Sequence, residues 1–188
     1  MRTERLIALL AAGLLCLLPL TLRAQALDTD VPFIVTPDNV TREMLKLAGV
    51  KAGDFVIDLG SGDGRIVIVA AKQFGARGLG VEIVPDLVEK SRDNARRAGV
   101  ADRVEFRVQD LFATDLSQAT VITMYLLPEV NLQLRPRLLA LRPGTRIVSH
   151  DWDMGDWKPD RVITVDVPDK PIGREKSSRL FLWTVPAR

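Results

Sequence analysis

Residues 58–65 read Asp-Leu-Gly-Ser-Gly-Asp-Gly-Arg. The apolar run Phe55-Val56-Ile57 precedes them, and Ile66-Val67-Ile68-Val69-Ala70-Ala71 follows. An acid closing a buried strand, three alternating glycines and a helix start let a backbone approach a small charged cofactor closely. The spacing narrows the choice of cofactor. A dinucleotide loop, G-x-G-x-x-G, begun at Gly60 needs glycine at position 65, which is Arg65; the G-x-x-x-x-G-K-[ST] of a phosphate loop is absent. Asp58, Glu82 and Asp110 fall at or just beyond strand ends, where open α/β sheets hold ligands. Each alone could simply cap a following helix or turn; three of them beside the glycine loop point to a site. A second cluster, Ser149-His150-Asp151-Trp152-Asp153-Met154-Gly155-Asp156-Trp157, holds the only histidine and two of the three tryptophans. It suits an acceptor mouth, or a turn whose tryptophans pack on the sheet rim.

These residues need a frame. Strands are predicted over 55–59, 78–83, 104–108, 119–125 and 145–149, with helices over 64–74, 85–98 and 128–141 between them. The strands are rich in β-branched residues without clean alternation, as for strands covered on both faces. Alternating strand and helix implies a parallel sheet with right-handed crossovers. A helix over 37–48 precedes it, with Thr36 as N-cap and Pro37 at the first helical position. Residues 161–167 and 179–185 read as strands with no helix between them, a terminal β-hairpin. The expected fold is therefore α/β: a doubly wound, mostly parallel seven-stranded sheet with a C-terminal antiparallel hairpin.

The N-terminus reads separately. Arg2 and Arg5, an apolar run from Leu6 to Leu22, and Ala24-Gln25-Ala26 form a secretory leader pattern cut after Ala26; the other reading is an uncleaved anchor. Residues 27–188 then form one domain. Without the leader, 23 basic and 23 acidic residues remain, so overall charge gives no support for nucleic-acid binding. The sole cysteine, Cys16, lies in the leader, which excludes disulfides and thiolate chemistry from the domain. One histidine makes a histidine-rich metal site unsuited to this chain.

The D-x-G-x-G-x-G loop with its ordered acids resembles motif I of the class I S-adenosylmethionine-dependent methyltransferases. By that resemblance Gly60, Gly62 and Gly64 let the backbone pass the methionine part of S-adenosyl-L-methionine. Asp58 helps hold its amino group, Glu82 accepts from both ribose hydroxyls, and Asp110 receives the adenine amino group. The run Gly60 to Val67 is also similar to the small relatives of the ATP-synthase c-subunit lysine methyltransferase. The segment Val31-Pro-Phe-Ile-Val-Thr-Pro37 fits a Pro-Thr stretch of those proteins, departing at Val35. The resemblance implies that Thr36 lies near the methionine end of the cofactor; simple capping is the alternative.

Tyr125-Leu126-Leu127-Pro128-Glu129 stands where many amine methyltransferases carry Asn/Asp-Pro-Pro-Tyr/Phe. Its absence argues against amide or adenine amino methylation. The expected reaction is methyl transfer to an amine, such as a protein lysine, that of a membrane protein included, with a small molecule as the next acceptor. Positioning supplies much of the rate, and a lysine acceptor must lose a proton from a pKa near 10.4. Asp151 and Asp153 would attract the ammonium beside Trp152, and Tyr125 and His150 are candidates for taking or relaying the proton. The leader places the domain outside the cytoplasm, in the periplasm, or tethers it to the membrane, whereas the cofactor is cytoplasmic. That conflict keeps a second reading open, a non-catalytic exported module that binds a ligand or partner. A dinucleotide oxidoreductase is disfavoured by Arg65.

Overall fold

Helix α1 (Asp38–Leu47) turns Val40, Met44 and Leu45 inward. Its expected cap differs. Pro37 is the N-cap, with no side-chain hydrogen bond, because the Thr36 hydroxyl points instead at His150. Strand β1 (Phe55–Leu59) leads through the glycine loop into α2 (Arg65–Phe74), then β2 (Arg77–Glu82), α3 (Pro85–Ala98) and β3 (Val104–Val108). After β4 (Val121–Met124) and α4 (Pro128–Leu139) come β5 (Arg146–His150), β6 (Arg161–Asp166) and β7 (Ser177–Thr184). The computed structural model describes residues 34–170 and 175–187; the expected leader, residues 1–26, lies outside them.

The seven strands stand in the order β3-β2-β1-β4-β5-β7-β6, with β1 to β5 parallel. Strand β7 is antiparallel to both β5 and β6. The hairpin therefore straddles: its second strand lies inside the sheet and its first strand forms the edge. Helices α1 and α2 cover one face through Val40, Met44, Ile66 and Ala70. Helix α4 covers the other face with Leu134 and Leu138, joined by Met154 and Trp157. Phe106 of β3 packs among Val67, Val88 and Ala95 of α2 and α3. Residues on β1 alternate between these cores, so Val56 and Asp58 share one face while Ile57 and Leu59 share the other.

The chain order reverses between β1 and β4, the switch point at which such sheets open a crevice at their C-terminal ends. Asp58 sits there, in register with Gly80 of β2 on one side and Thr123 of β4 on the other. Strand β5 runs one residue beyond the predicted end and takes in His150, which pairs with Leu180. The partner that extends it is 30 residues away in sequence, so no local signal marks this end. Among the described residues no helix is long and apolar enough to cross a membrane.

Candidate functional site

The glycine loop is braced from within. The N–H groups of Gly60 and Ser61 both donate to the Val81 carbonyl, at 3.0 and 2.9 Å, and the N–H of Gly64 donates to Ser61 O. Ser91 Oγ donates to Gly62 O at 2.8 Å, and Asn94 Nδ2 donates to Asp63 O. Gly60, Gly62 and Gly64 all have left-handed φ values (75°, 52° and 80°), which only glycine adopts freely. Two also lack room for a side chain. A Cβ on Gly60 would lie 2.9 Å from Leu126, and one on Gly64 would lie 2.7 Å from the Phe106 ring. With so many of its N–H groups committed internally, the loop offers close approach rather than a cradle for a bare anion.

Three carboxylates surround it, each differently engaged. Asp58 is buried, accepts 2.7 Å from Thr123 Oγ1, and has its carboxyl pushed up to about 7. Burial is the main cause; the Thr123 bond opposes it, and the charges of Glu82 and Asp63 add to it. Glu82 accepts from the N–H of Gly62 on Oε2, and from the N–H groups of Ile83 and Val84 on Oε1. By lone-pair count one acceptor position remains, on Oε2, so binding both ribose hydroxyls requires exchange of a backbone contact. Asp110 is exposed and accepts from Phe112 N, capping a short 3-10 turn at Leu111–Ala113.

Arg65 ties the loop to the segment before α1. Its Nε and Nη2 grip Asp63 at 3.0 and 2.7 Å, while Nη1 donates to Thr36 O at 3.0 Å. The grip outweighs burial and holds the Asp63 carboxyl below its ordinary range. Thr36 Oγ1 then meets His150 Nδ1 at 3.3 Å, and Ser178 Oγ meets the other ring nitrogen at 2.8 Å. The Tyr125 ring stacks on His150 with centroids 3.9 Å apart. Burial lowers the His150 pKa to about 4, with Asp151 opposing and Lys170 assisting, so the ring is neutral at physiological pH. Burial, aided by Asp151, raises that of Tyr125.

Asp151 closes β5 in the left-handed region, φ 62°. Aspartate tolerates this conformation when its short side chain finds local partners. Here Asp151 N donates to Arg179 O at 2.7 Å, and Oδ1 accepts from Arg179 N at 2.9 Å. Oδ2 accepts from Lys170 Nζ at 2.7 Å. Trp152 is 42% exposed and Asp153 caps a turn through Gly155 N, so both face outward. Asn131 on α4 is fully buried and directs Nδ2 at Ser149 Oγ and the carbonyls of Trp152 and Asp153. The structure thus gathers Thr36, Tyr125, His150 and Asp151 into one group and Asp58, Glu82 and the glycines into another.

A sequence profile of the ANTKMT methyltransferase domain matches residues 58–161. The chain belongs to this methyltransferase family. It is 44% identical over 138 residues to a protein-lysine N-methyltransferase of Saccharolobus islandicus, covering 72% of this chain and 86% of that enzyme. It is 33% identical to the ATP synthase c-subunit lysine N-methyltransferase of Xenopus laevis, covering 71% of this chain and 58% of that one. The crystal structure of an RNA methyltransferase from Salinibacter ruber, in complex with S-adenosyl-L-homocysteine, superposes with a TM-score of 0.74 at 55% identity. That match covers 82% of this chain and 95% of the other.

The methyltransferase is dependent on S-adenosyl-L-methionine. The residues present fit that cofactor. A wholly buried carboxyl at the switch point, with one neutral hydroxyl bonded to it, suits a cationic amino group. Beside it Ser61 Oγ is buried with no hydrogen-bond partner among the described residues, in a loop whose glycines exclude side chains. Sequence reasoning missed Thr123, Asp63, Ser178 and Lys170. Arg65 served there only to exclude a dinucleotide. No spacing rule marks Thr123, Ser178 and Lys170, because their partners Asp58, His150 and Asp151 lie far away in the sequence.

Proposed function

We propose that this methyltransferase acts on the side-chain amine of a protein lysine. The observation that carries the reading is a carboxylate, Asp151, already bonded to a lysine ammonium beside Tyr125 and His150. The lysine methyltransferases among its relatives support it. The cofactor, when bound, supplies an electrophilic methyl on a sulfonium. In this reading Asp58 neutralises the cofactor amino group, Glu82 and Asp110 face its ribose and adenine, and Thr36 borders its methionine end. Asp151 receives the acceptor ammonium, and Tyr125 shields the amine from water, which favours loss of its proton. His150 has both nitrogens committed to hydroxyls, so it acts as a positioning residue that fixes the Tyr125 ring. Trp152 and Asp153, at the exposed rim, contact the acceptor chain.

The Salinibacter structure is described as an RNA methyltransferase, which gives RNA as the competing acceptor. The electrostatics favour protein. Asp151 and Asp153 stand at the mouth just beyond β5, whereas Arg92, Arg96 and Arg107 are each paired with an acid. A phosphate backbone needs unpaired cations. The test is transfer of labelled methyl to a cell extract, followed by separate nuclease and protease digestion and amino-acid analysis. Methyl-lysine is expected, and its yield should fall at least tenfold in Asp151→Asn. Label confined to RNA, or no label, would overturn the reading. We also propose that residues 1–26 direct export, to be tested by fractionation with N-terminal sequencing. An intact N-terminus in the cytoplasm would refute it.

A further inference from the structure

Lys170 ends the turn that follows β6, with its N–H donating to Val167 O at 3.0 Å. Its side chain is only 13% exposed. The ammonium donates to Asp151 Oδ2 and to Ser177 O, each at 2.7 Å. Lys170 lines one small cavity with Val35, Pro37, Tyr125, His150 and Ser178. Thr36 links that group to the glycine loop: its carbonyl accepts from Arg65 Nη1 and its hydroxyl meets His150 Nδ1. A lysine of the chain itself therefore occupies the place where an acceptor ammonium is expected.

We propose that Lys170 is a methyl acceptor of its own chain, modified in cis. The inference rests on the protein-lysine reading above. An ammonium has three protons, and among the described residues two are held by Asp151 and Ser177. Loss of the third, to solvent, leaves the Nζ lone pair directed away from both acceptors. The lone pair forms the new N–C bond, the S–CH3 bond breaks with its electrons kept by sulfur, and the products are methyl-lysine and S-adenosylhomocysteine. Monomethyl-lysine regains its positive charge and still has two protons for Asp151 and Ser177. A second methyl would sacrifice one of these bonds, so the modification stops mainly at one. The attacking amine must be neutral, so the rate rises with pH.

The test incubates the purified full chain with S-adenosyl-L-methionine and maps the product by peptide mass spectrometry, beside a parallel reaction with a cell extract. One methyl on Lys170 is expected, at a first-order rate unchanged on hundredfold dilution of the chain. Lys170→Arg should remove that label, and Lys158→Arg, at an exposed site, should leave it. Because the wild-type map reads the site directly, a poorly folded variant does not spoil the test. Extract lysines methylated while Lys170 stays bare would overturn the cis acceptor alone. A Lys170 label whose rate scales with chain concentration would overturn modification in cis. No methyl-lysine in chain or extract would overturn the protein-lysine reading itself.

Discussion

Cofactor binding should titrate with Asp58. Burial pushes its carboxyl up to about 7, yet in the proposed role it must be ionised to pair with the amino group of S-adenosyl-L-methionine. Below pH 7 each binding event must expel a proton. Asp58 is half ionised at pH 7 and about 1% ionised at pH 5, so affinity should fall about 50-fold between them, or about 2.3 kcal/mol. The cofactor's own α-amino group titrates only near 8, above this window. Calorimetric titration with S-adenosylhomocysteine in buffers of different ionisation enthalpy reads both the affinity and the proton released, expected to approach one near pH 5. The Asp58→Asn variant should bind weakly and with no pH slope. A flat affinity from pH 5 to 7 in the wild type, or an undiminished slope in Asp58→Asn, would refute the assignment.

Thr123→Val removes the hydroxyl that stabilises ionised Asp58, a bond of about 1–2 kcal/mol. The midpoint of the affinity profile should rise by about one pH unit; an unmoved midpoint refutes the coupling. Gly64→Ala combines a left-handed φ with a Cβ driven into the buried Phe106 ring, and should cost about 2–4 kcal/mol in a urea titration. Arg65→Met frees Asp63 and Thr36 together; the KM for the cofactor should rise about tenfold with the fold retained by circular dichroism, and an unchanged KM would make the clamp irrelevant. Stability carries a further signature. His150, held near 4 against an ordinary 6.5, takes up its proton on unfolding, so its contribution grows as pH rises from 4 to 6.5. Asp58, held near 7 against 3.8, releases its proton on unfolding, so its contribution shrinks as pH rises over nearly the same range. The slopes oppose, each at most about 1.4 kcal/mol per pH unit. Asp58→Asn should therefore expose stability that rises with pH, and His150→Gln stability that falls; slopes of the same sign in both would contradict this.

What could be read along the chain was whatever repeats locally. The β-branched runs, Gly99 closing α3 and Pro128 opening α4 announce their elements. Asp58, Glu82 and Asp110 were legible because the parallel order brings successive strand ends to one rim. What was hidden depends on distant neighbours. Thr36 reads as a helix cap, but its hydroxyl is claimed by a histidine 114 residues away. His150 reads as a loop residue on a mouth, but β7 extends β5 through it and seals its ring from water. Glu82 reads as a free bidentate acceptor, but the loop it was meant to serve already donates to it. In each case a polar group found a nearer partner than its expected ligand, which burial requires and local sequence does not show.

Strand β7 enters the sheet last and sits inside it. A nascent chain stopped before Ser177 would have β5 and β6 with no strand between them. It would also lack Ser178, which holds His150, and Arg179, whose backbone fixes Asp151. Chains emerge N-terminus first and their domains fold as units, so translation ahead of β7 yields a Rossmann half whose acceptor side is unformed. In the acceptor reading proposed above, methyl transfer therefore waits until synthesis has passed β7.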